Sequence, residues 1–382
     1  MDFAEVFQKL DATCQAKEYA GWDPFDGLNS HIFQALQLDQ SRLLRLAWIQ
    51  FCKRSPLNFR GMMQTPKVQN AKGHALFAQS YALQKNTDVL APLIDDLLDM
   101  RCDPIQWGGG AWGYPFPWQA RAFFVPKGTP NLICTAYAVK ALHRSQNLLK
   151  QDHSDVIQGA ATFIEKHLLC FSLNKKSVYI SYIPDDTTMV HNVNLWGAYV
   201  LMLAHHLGGP ARFKELAERT VDYTLNAQRP DGSWFYGEAG HHGFVDSFHT
   251  GFNLEALNLL KALQPSLQIQ QSLEKGMSYY AKAFFGEDGR PAYYDHKVYP
   301  IDCHNTAQAV ITLLSVNPTP DHIDLAEKVL RWTCQQMWNE RRSAFHYQKK
   351  RLYTNKLTYM RWTQAWMHLA LSQWLSYPHK QV

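Results

Sequence analysis

The stretch FVDSFHTGFNLEAL, residues 244–257, combines the start of a helix with a polar face. Phe252, Leu254, Ala256 and Leu257 supply apolar positions, and Asp246, Ser247 and Thr250 are residue types whose oxygens cap unpaired backbone N–H groups. His249 and Asn253, four apart, share one helix face. The same order recurs along the chain. DCHNTAQAVITLL (302–314) again gives Asp302, His304 and an amide four residues on, Gln308. VHNVNLWGAYVLMLAHHL (190–207) begins with His191 and Asn194. GHALFAQSYAL (73–83), LICTAYAVKALH (132–143) and YMRWTQAWMHLALSQWL (359–375) share the polar start and apolar continuation. With His74, Cys134, His191, His249, His304 and Arg361 as equivalent anchors, the spacings are 60, 57, 58, 55 and 57 residues. A period of that size predicts a repeated supersecondary unit.

A second landmark keeps the same register. Aromatic-rich segments precede the later anchors and align on Tyr114, Tyr182, Tyr236, Tyr294 and Tyr347, three of them introduced by the turn signals GGGAW, RPDGSW and GEDGRP. A further helical pattern separates each anchored helix from the next aromatic segment, as in 211–228 and 323–338. Each unit therefore reads as helix, aromatic loop, helix. Open solenoids of the tetratricopeptide type have shorter repeats without such loops, so a closed ring of six hairpins is favoured. The expectation is one all-α unit over residues 1–382, with residues 1–45 as a helical lead-in.

Composition narrows the class. The 382 residues are 46% apolar and 13% aromatic, enough for a large core and for aromatic ligand walls. No apolar run is long enough for a membrane span, and residues 1–19 lack a signal peptide's apolar core. Seven scattered cysteines fit a reducing compartment, so a cytoplasmic location is expected. A net charge of +5 without a dense Lys/Arg block gives no signature of nucleic-acid binding.

Six hairpins with polar inner-helix starts resemble the (α/α)6 toroid of many glycosidases, polysaccharide lyases and sugar epimerases, a fold also found in terpene cyclases, protein prenyltransferases and lanthionine cyclases. QRPDGSW (228–234) is similar to the Q-x-x-D-G-x-W repeat motif of squalene cyclases, a staple between hairpins rather than a catalytic signature. GWDPFDGLNS (21–30), residues 112–142 and DSFHTGFNLEAL resemble bacterial proteins of polysaccharide-biosynthesis clusters. The resemblance implies a carbohydrate setting, with an acidic polysaccharide or sugar as substrate and other polysaccharide-biosynthesis proteins as possible partners. It implies no particular reaction.

In such a ring the inner helices aim their N-termini at one mouth, where dipoles favour an anionic group. His249 and His304 are candidate acid–base catalysts, with His191 at the same repeat position. Tyr236 or Tyr294 would complete proton abstraction beside a uronic carboxylate, and Asn253, Gln308, Asn194, Arg121 or Arg361 would hold that carboxylate. This is epimerase or lyase logic. Hydrolysis would instead need two carboxyls, for which Glu238, Asp246 and Asp302 are candidates, with Asp295, Asp185 and Asp186 near them. N-capping is the structural alternative for Asp246 and Asp302. Trp112, Trp118, Trp234 and Tyr114 would stack on sugar rings or staple hairpins together. A non-catalytic glycan-binding or scaffold role remains open. So does a zinc site of lanthionine-cyclase type around Cys303, His304 and His249, although that family's other Cys motif is absent. No cofactor is called for. A terpene cyclase would need an acidic cluster that only PDDTT (184–188) approaches.

Overall fold

A computed structural model of the chain describes residues 2–119, 124–171 and 177–378. It opens with α1 (Phe3–Gln15), α2 (His31–Ala35) and α3 (Arg42–Arg54). Next come α4 (Ala71–Gln84), α5 (Thr87–Asp99), the single turn α6 (Pro104–Trp107), α7 (Leu132–Leu149) and α8 (Ser154–His167). Then follow α9 (His191–His206), α10 (Ala211–Asn226), α11 (Ser247–Leu263) and α12 (Leu267–Ala283). The last are α13 (Cys303–Ser315), α14 (Pro320–Met337) and α15 (Ala365–Leu375).

Two concentric rings result. Helices α4, α7, α9, α11, α13 and α15 each pack against the next, and α15 returns to α4. Outside them lie α5, α8, α10, α12 and α14, while α1 packs on α15 as a sixth outer helix, a place the reading of residues 1–45 as a lead-in did not assign. The fold is an (α/α)6 toroid. Burial follows from the geometry: an inner helix has neighbours on every side, so Ala71 through Tyr81 of α4 are all buried. Outer α10 buries only Phe213, Ala217, Thr220, Val221 and Thr224, one stripe at helical spacing.

Capping sets the orientation of the inner ring. Asn70, Asn131, Asp246 and Asp302 accept first-turn N–H groups of α4, α7, α11 and α13, so these helices are entered from extended chain at one common mouth. The axis behind that mouth is filled with rings. Tyr137 stacks on Trp196 at 4.8 Å, and Phe252 on Trp366 at 5.7 Å between centroids. About one turn further along α7 and α11, Lys140 and Glu255 form a buried ion pair, and the Gln308 amide donates to Glu255 at 2.9 Å.

Several residues expected on a ligand prove to be fasteners. The Trp234 indole donates to the Thr224 carbonyl at 3.0 Å, and Gln228 donates to the carbonyls of Gly232 and Ser272, each at 3.0 Å, so QRPDGSW ties α10 to α12. Trp112 is buried with its indole on the Leu97 carbonyl at 2.7 Å. Asn194 accepts the Ile180 N–H at 3.0 Å and donates to Thr220 and Thr224. A buried amide or indole must find partners, and here they are backbone groups of neighbouring hairpins. At Gly232, φ is +93° and a Cβ would stand 2.4 Å from the Lys275 carbonyl oxygen. Gly232→Ala is therefore expected to lower stability by about 2–4 kcal/mol, seen as a lower Tm in thermal denaturation.

Candidate active site

A cavity of about 510 Å³ opens at the mouth of the inner ring. The helix starts contribute Lys72, Ile133, Phe248, His249 and His304, with Arg361 and Trp362 from the π-helical turn Met360–Gln364 ahead of α15. Loops supply Tyr114, Trp118, Tyr182, Tyr236 and Tyr293, and Phe25 comes from the N-terminal region. Aromatic walls alternate with polar groups, among them Lys53, His241 and His242, which gives the cavity the character of a small-ligand pocket. Phe252 lines it and belongs to the ring layer that closes the axis below.

His249 is the best-positioned polar group. Asp246 accepts the His249 backbone N–H at 2.7 Å through one oxygen and faces ring Nδ1 at 2.7 Å through the other. One carboxylate thus caps α11 and holds the imidazole, so capping at Asp246 leaves its second oxygen free to orient His249. With Nδ1–H donating to Asp246, Nε2 is left with a lone pair. The His249 side chain retains 24% exposure, and Tyr236 packs on it at 4.5 Å between ring centroids. Burial and the charges of Asp246 and Asp186 hold the Tyr236 phenol well above its usual range, keeping it a proton donor.

His304 lines the same cavity from α13, its ring 3.8 Å from Phe248, 4.3 Å from Trp366 and 4.6 Å from Trp362. Its Nε2 is buried and has no hydrogen-bond partner among the described residues. Burial, reinforced by Lys72 and Arg361, holds this imidazole well below its ordinary range, so it is neutral at rest. Asp302 does not reach the cavity. It is buried, caps α13 through the His304 N–H at 3.0 Å, and accepts from Gln348 at 2.5 Å and the Trp362 indole at 3.0 Å. Burial pushes its carboxyl up to about 6. Its place is to fix the Trp362 wall.

The cations divide sharply. Arg361 lines the cavity, but its Nε donates to Asp23 at 2.6 Å, and its guanidinium lies 4.9 Å from the Tyr114 ring centroid. Asp23 belongs to GWDPFDGLNS, the segment that also seats Asp26 on Arg60 at 2.6 Å. Lys72 was not anticipated. It stands two residues ahead of the His74 anchor, buried in the first turn of α4, with Nζ facing the rings of Tyr137, Phe252 and Trp366. The one signal the sequence offered for it was a lysine in the first turn of an otherwise mostly apolar helix, where the dipole disfavours a cation.

Other candidates lie apart. Glu238 is half exposed and 3.4 Å from His191 Nε2, which holds its carboxyl below the usual range; neither residue lines the cavity. Tyr294 bridges the Asp246 backbone while its neighbour Tyr293 takes the wall. Asn253 and Gln308 are buried away from the cavity. Trp118 and Tyr114 do line it, and Tyr114 shares a hydroxyl contact with Tyr182 at 3.2 Å. Arg121 lies outside the described residues. Of the six anchors, His249, His304 and Arg361 reach the mouth. His74, Cys134 and His191 do not line the cavity: His74 faces Asp96, His191 faces Glu238, and Cys134 is buried behind Tyr114 and Arg361.

Among the described cavity-lining residues Asp186 carries the one carboxyl, accepting from Thr188 N–H and hydroxyl at 3.1 and 2.8 Å. Among the described residues no three His, Cys, Asp or Glu side chains gather as metal ligands. The buried Cys303 thiol is pushed far up by burial. No helix is long and apolar enough to cross a membrane, among the described residues.

The sequence matches no protein family's pattern and no curated protein. Solved structures do match in fold. A cellobiose 2-epimerase from Bacillus thermoamylovorans B4167 is 9% identical, with 82% of this chain and 90% of that chain covered and a TM-score of 0.62. A possible GH105 member from Salmonella enterica is 14% identical over 82% and 86% of the two chains, TM-score 0.57. A GH76 α-mannanase from Bacteroides thetaiotaomicron is 9% identical over 82% and 88%, TM-score 0.56.

Proposed function

We propose that this chain is a carbohydrate-active enzyme that removes a carbon-bound proton beside the carboxyl group of a uronic sugar, giving epimerisation or elimination on an acidic glycan. The observation that carries this reading is the His249–Asp246 pair opening into the cavity that His304 also lines. His249, oriented by Asp246, takes the proton at Nε2. Tyr236 or neutral His304 supplies or returns one on another side of the sugar. Aromatic walls seat the ring and keep water away from the carbanionic intermediate. The scarcity of carboxyls at the cavity surface favours this chemistry over hydrolysis, which needs two flanking the bond. The toroid neighbours include a sugar epimerase and glycoside hydrolases, a context that supports a sugar substrate without choosing the reaction.

The direct assay offers uronic polysaccharides and oligosaccharides to the protein and follows products by NMR and ultraviolet absorbance. An inverted C5 centre or a 4,5-unsaturated end group is expected. New reducing ends carrying neither change would move the assignment to hydrolysis.

A further inference from the structure

Four charged residues line the cavity without a task in the proton transfer, Lys53, Lys72, Asp186 and Arg361, and of these Lys72 is the one that is both buried and unpaired among the described residues. Its ammonium lies 4.5 Å from the Tyr137 ring centroid and 5.1 Å from those of Phe252 and Trp366. The ammonium makes no ion pair and no hydrogen bond among the described residues, yet the residue is only 3% exposed. The other cavity cation buried to this degree, Arg361, is already paired with Asp23. Ring faces offset part of the cost of burying an ammonium, but an unpaired buried charge still lacks the anion that would compensate it. Placement in the first turn of α4 adds repulsion from the helix dipole. A residue so badly placed for stability is well placed to await a ligand's charge.

We propose that Lys72 is the carboxylate subsite of the cavity, so that a uronic sugar enters carboxylate first and comes to rest against the aromatic floor. The assignment rests on the proton-abstraction reading for its meaning in catalysis, though not for the binding itself. Because the Tyr137, Phe252 and Trp366 layer closes the axis beneath Lys72, the site accepts the end of a chain rather than its middle. The carboxylate set on Lys72 would be the group whose charge grows when the neighbouring C–H bond ionises. Lys72 and His304 both lie against the Trp366 ring and are near enough to interact electrostatically, so the cation and the imidazole are neighbours at the cavity floor.

The protonation behaviour supports the geometry. Burial first and Arg361 next lower the Lys72 amine to about 7, against raising effects of Cys134, Glu255 and Asp23; His304, His249 and Tyr137 also face that region, with Lys53, Asp186, His241 and His242 elsewhere on the cavity wall. An amine whose folded-state value lies below the unfolded one destabilises the fold at low pH. That cost is relieved as pH rises from about 7 toward 10.5. An arriving carboxylate reverses the shift, so at pH 8 binding should take up close to one proton.

Isothermal titration with D-glucuronate and D-glucose at pH 8, in buffers of different ionisation enthalpy, tests this. The wild type is expected to bind glucuronate at least tenfold more tightly than glucose and to take up a proton with glucuronate alone. Lys72→Met should lose the tenfold preference and the uptake, leave glucose affinity within twofold, and show a smaller gain in Tm than wild type between pH 7 and 10. Lys72→Arg should keep most of the preference. The subsite is overturned if wild type shows no preference for glucuronate, if Lys72→Met retains it, or if both sugars weaken equally. Selective glucuronate binding without turnover would leave the subsite standing and remove the enzymatic reading; C–H exchange on neutral sugars alone would do the opposite.

Discussion

His249→Ala is expected to lower turnover of a uronic substrate by about 10³-fold, within the range lost when a positioned general base is removed. The imidazole makes one hydrogen bond, to Asp246, and is partly exposed, so Tm should stay close to wild type. Asp246→Asn separates the carboxylate's two duties. Asparagine caps helices as well as aspartate does, so α11 should persist. The imidazole, however, loses the anion that fixes its tautomer and stabilises its protonated form, and kcat should fall about 10²-fold or more. Combining either change with His304→Gln should cost less than the two losses summed, because residues of one proton-transfer pair do not act independently. Turnover within tenfold of wild type in His249→Ala would remove the base assignment.

The second large effect is on stability. Lys140 and Glu255 are buried together beneath the ring layer, with Gln308 satisfying the second carboxylate oxygen. Glu255→Leu would leave an ammonium with no anion in an apolar core, at an expected cost of about 3–5 kcal/mol. Lys140→Met with Glu255→Leu removes both charges and should recover stability to within about 1–2 kcal/mol of wild type, or exceed it. Urea denaturation of the two variants measures this difference. Because the pair lies behind the cavity floor, the double variant should keep its substrate turnover. If the single variant is as stable as wild type, the ion pair does not form.

The architecture was legible because its signal is periodic. Six anchors at near-constant spacing, each followed by apolar sequence and preceded by an aromatic segment, leave few folds able to bury every copy. The positions of His249 and His304 could be read for the same reason. What could not be read was the rotation of each inner helix, which depends on packing against neighbours on both sides. That rotation turns His191 toward Glu238 and leaves the wall to Val190, Asn192 and Val193. Sequence spacing likewise could not show that Asp23 crosses 338 residues of chain to neutralise Arg361. Trp112, Trp234 and Asn194 looked like ligand-binding residues because fasteners and sugar platforms use the same side chains. Only their hydrogen-bond partners separate the two. Lys72 stayed hidden because a lysine is ordinarily assumed to reach solvent, and its burial appears only once α4 is enclosed on every side.

The central claim is that this cavity breaks a carbon–hydrogen bond of a sugar, and the fate of the C5 hydrogen of uronic oligosaccharides in deuterium oxide tests it for either product. Epimerisation should place deuterium at C5, and elimination should remove the C5 hydrogen to leave a 4,5-unsaturated end group, both read by proton NMR and mass spectra and both abolished in His249→Ala. Glycan cleaved or bound by the wild type with every carbon-bound hydrogen retained would contradict the account.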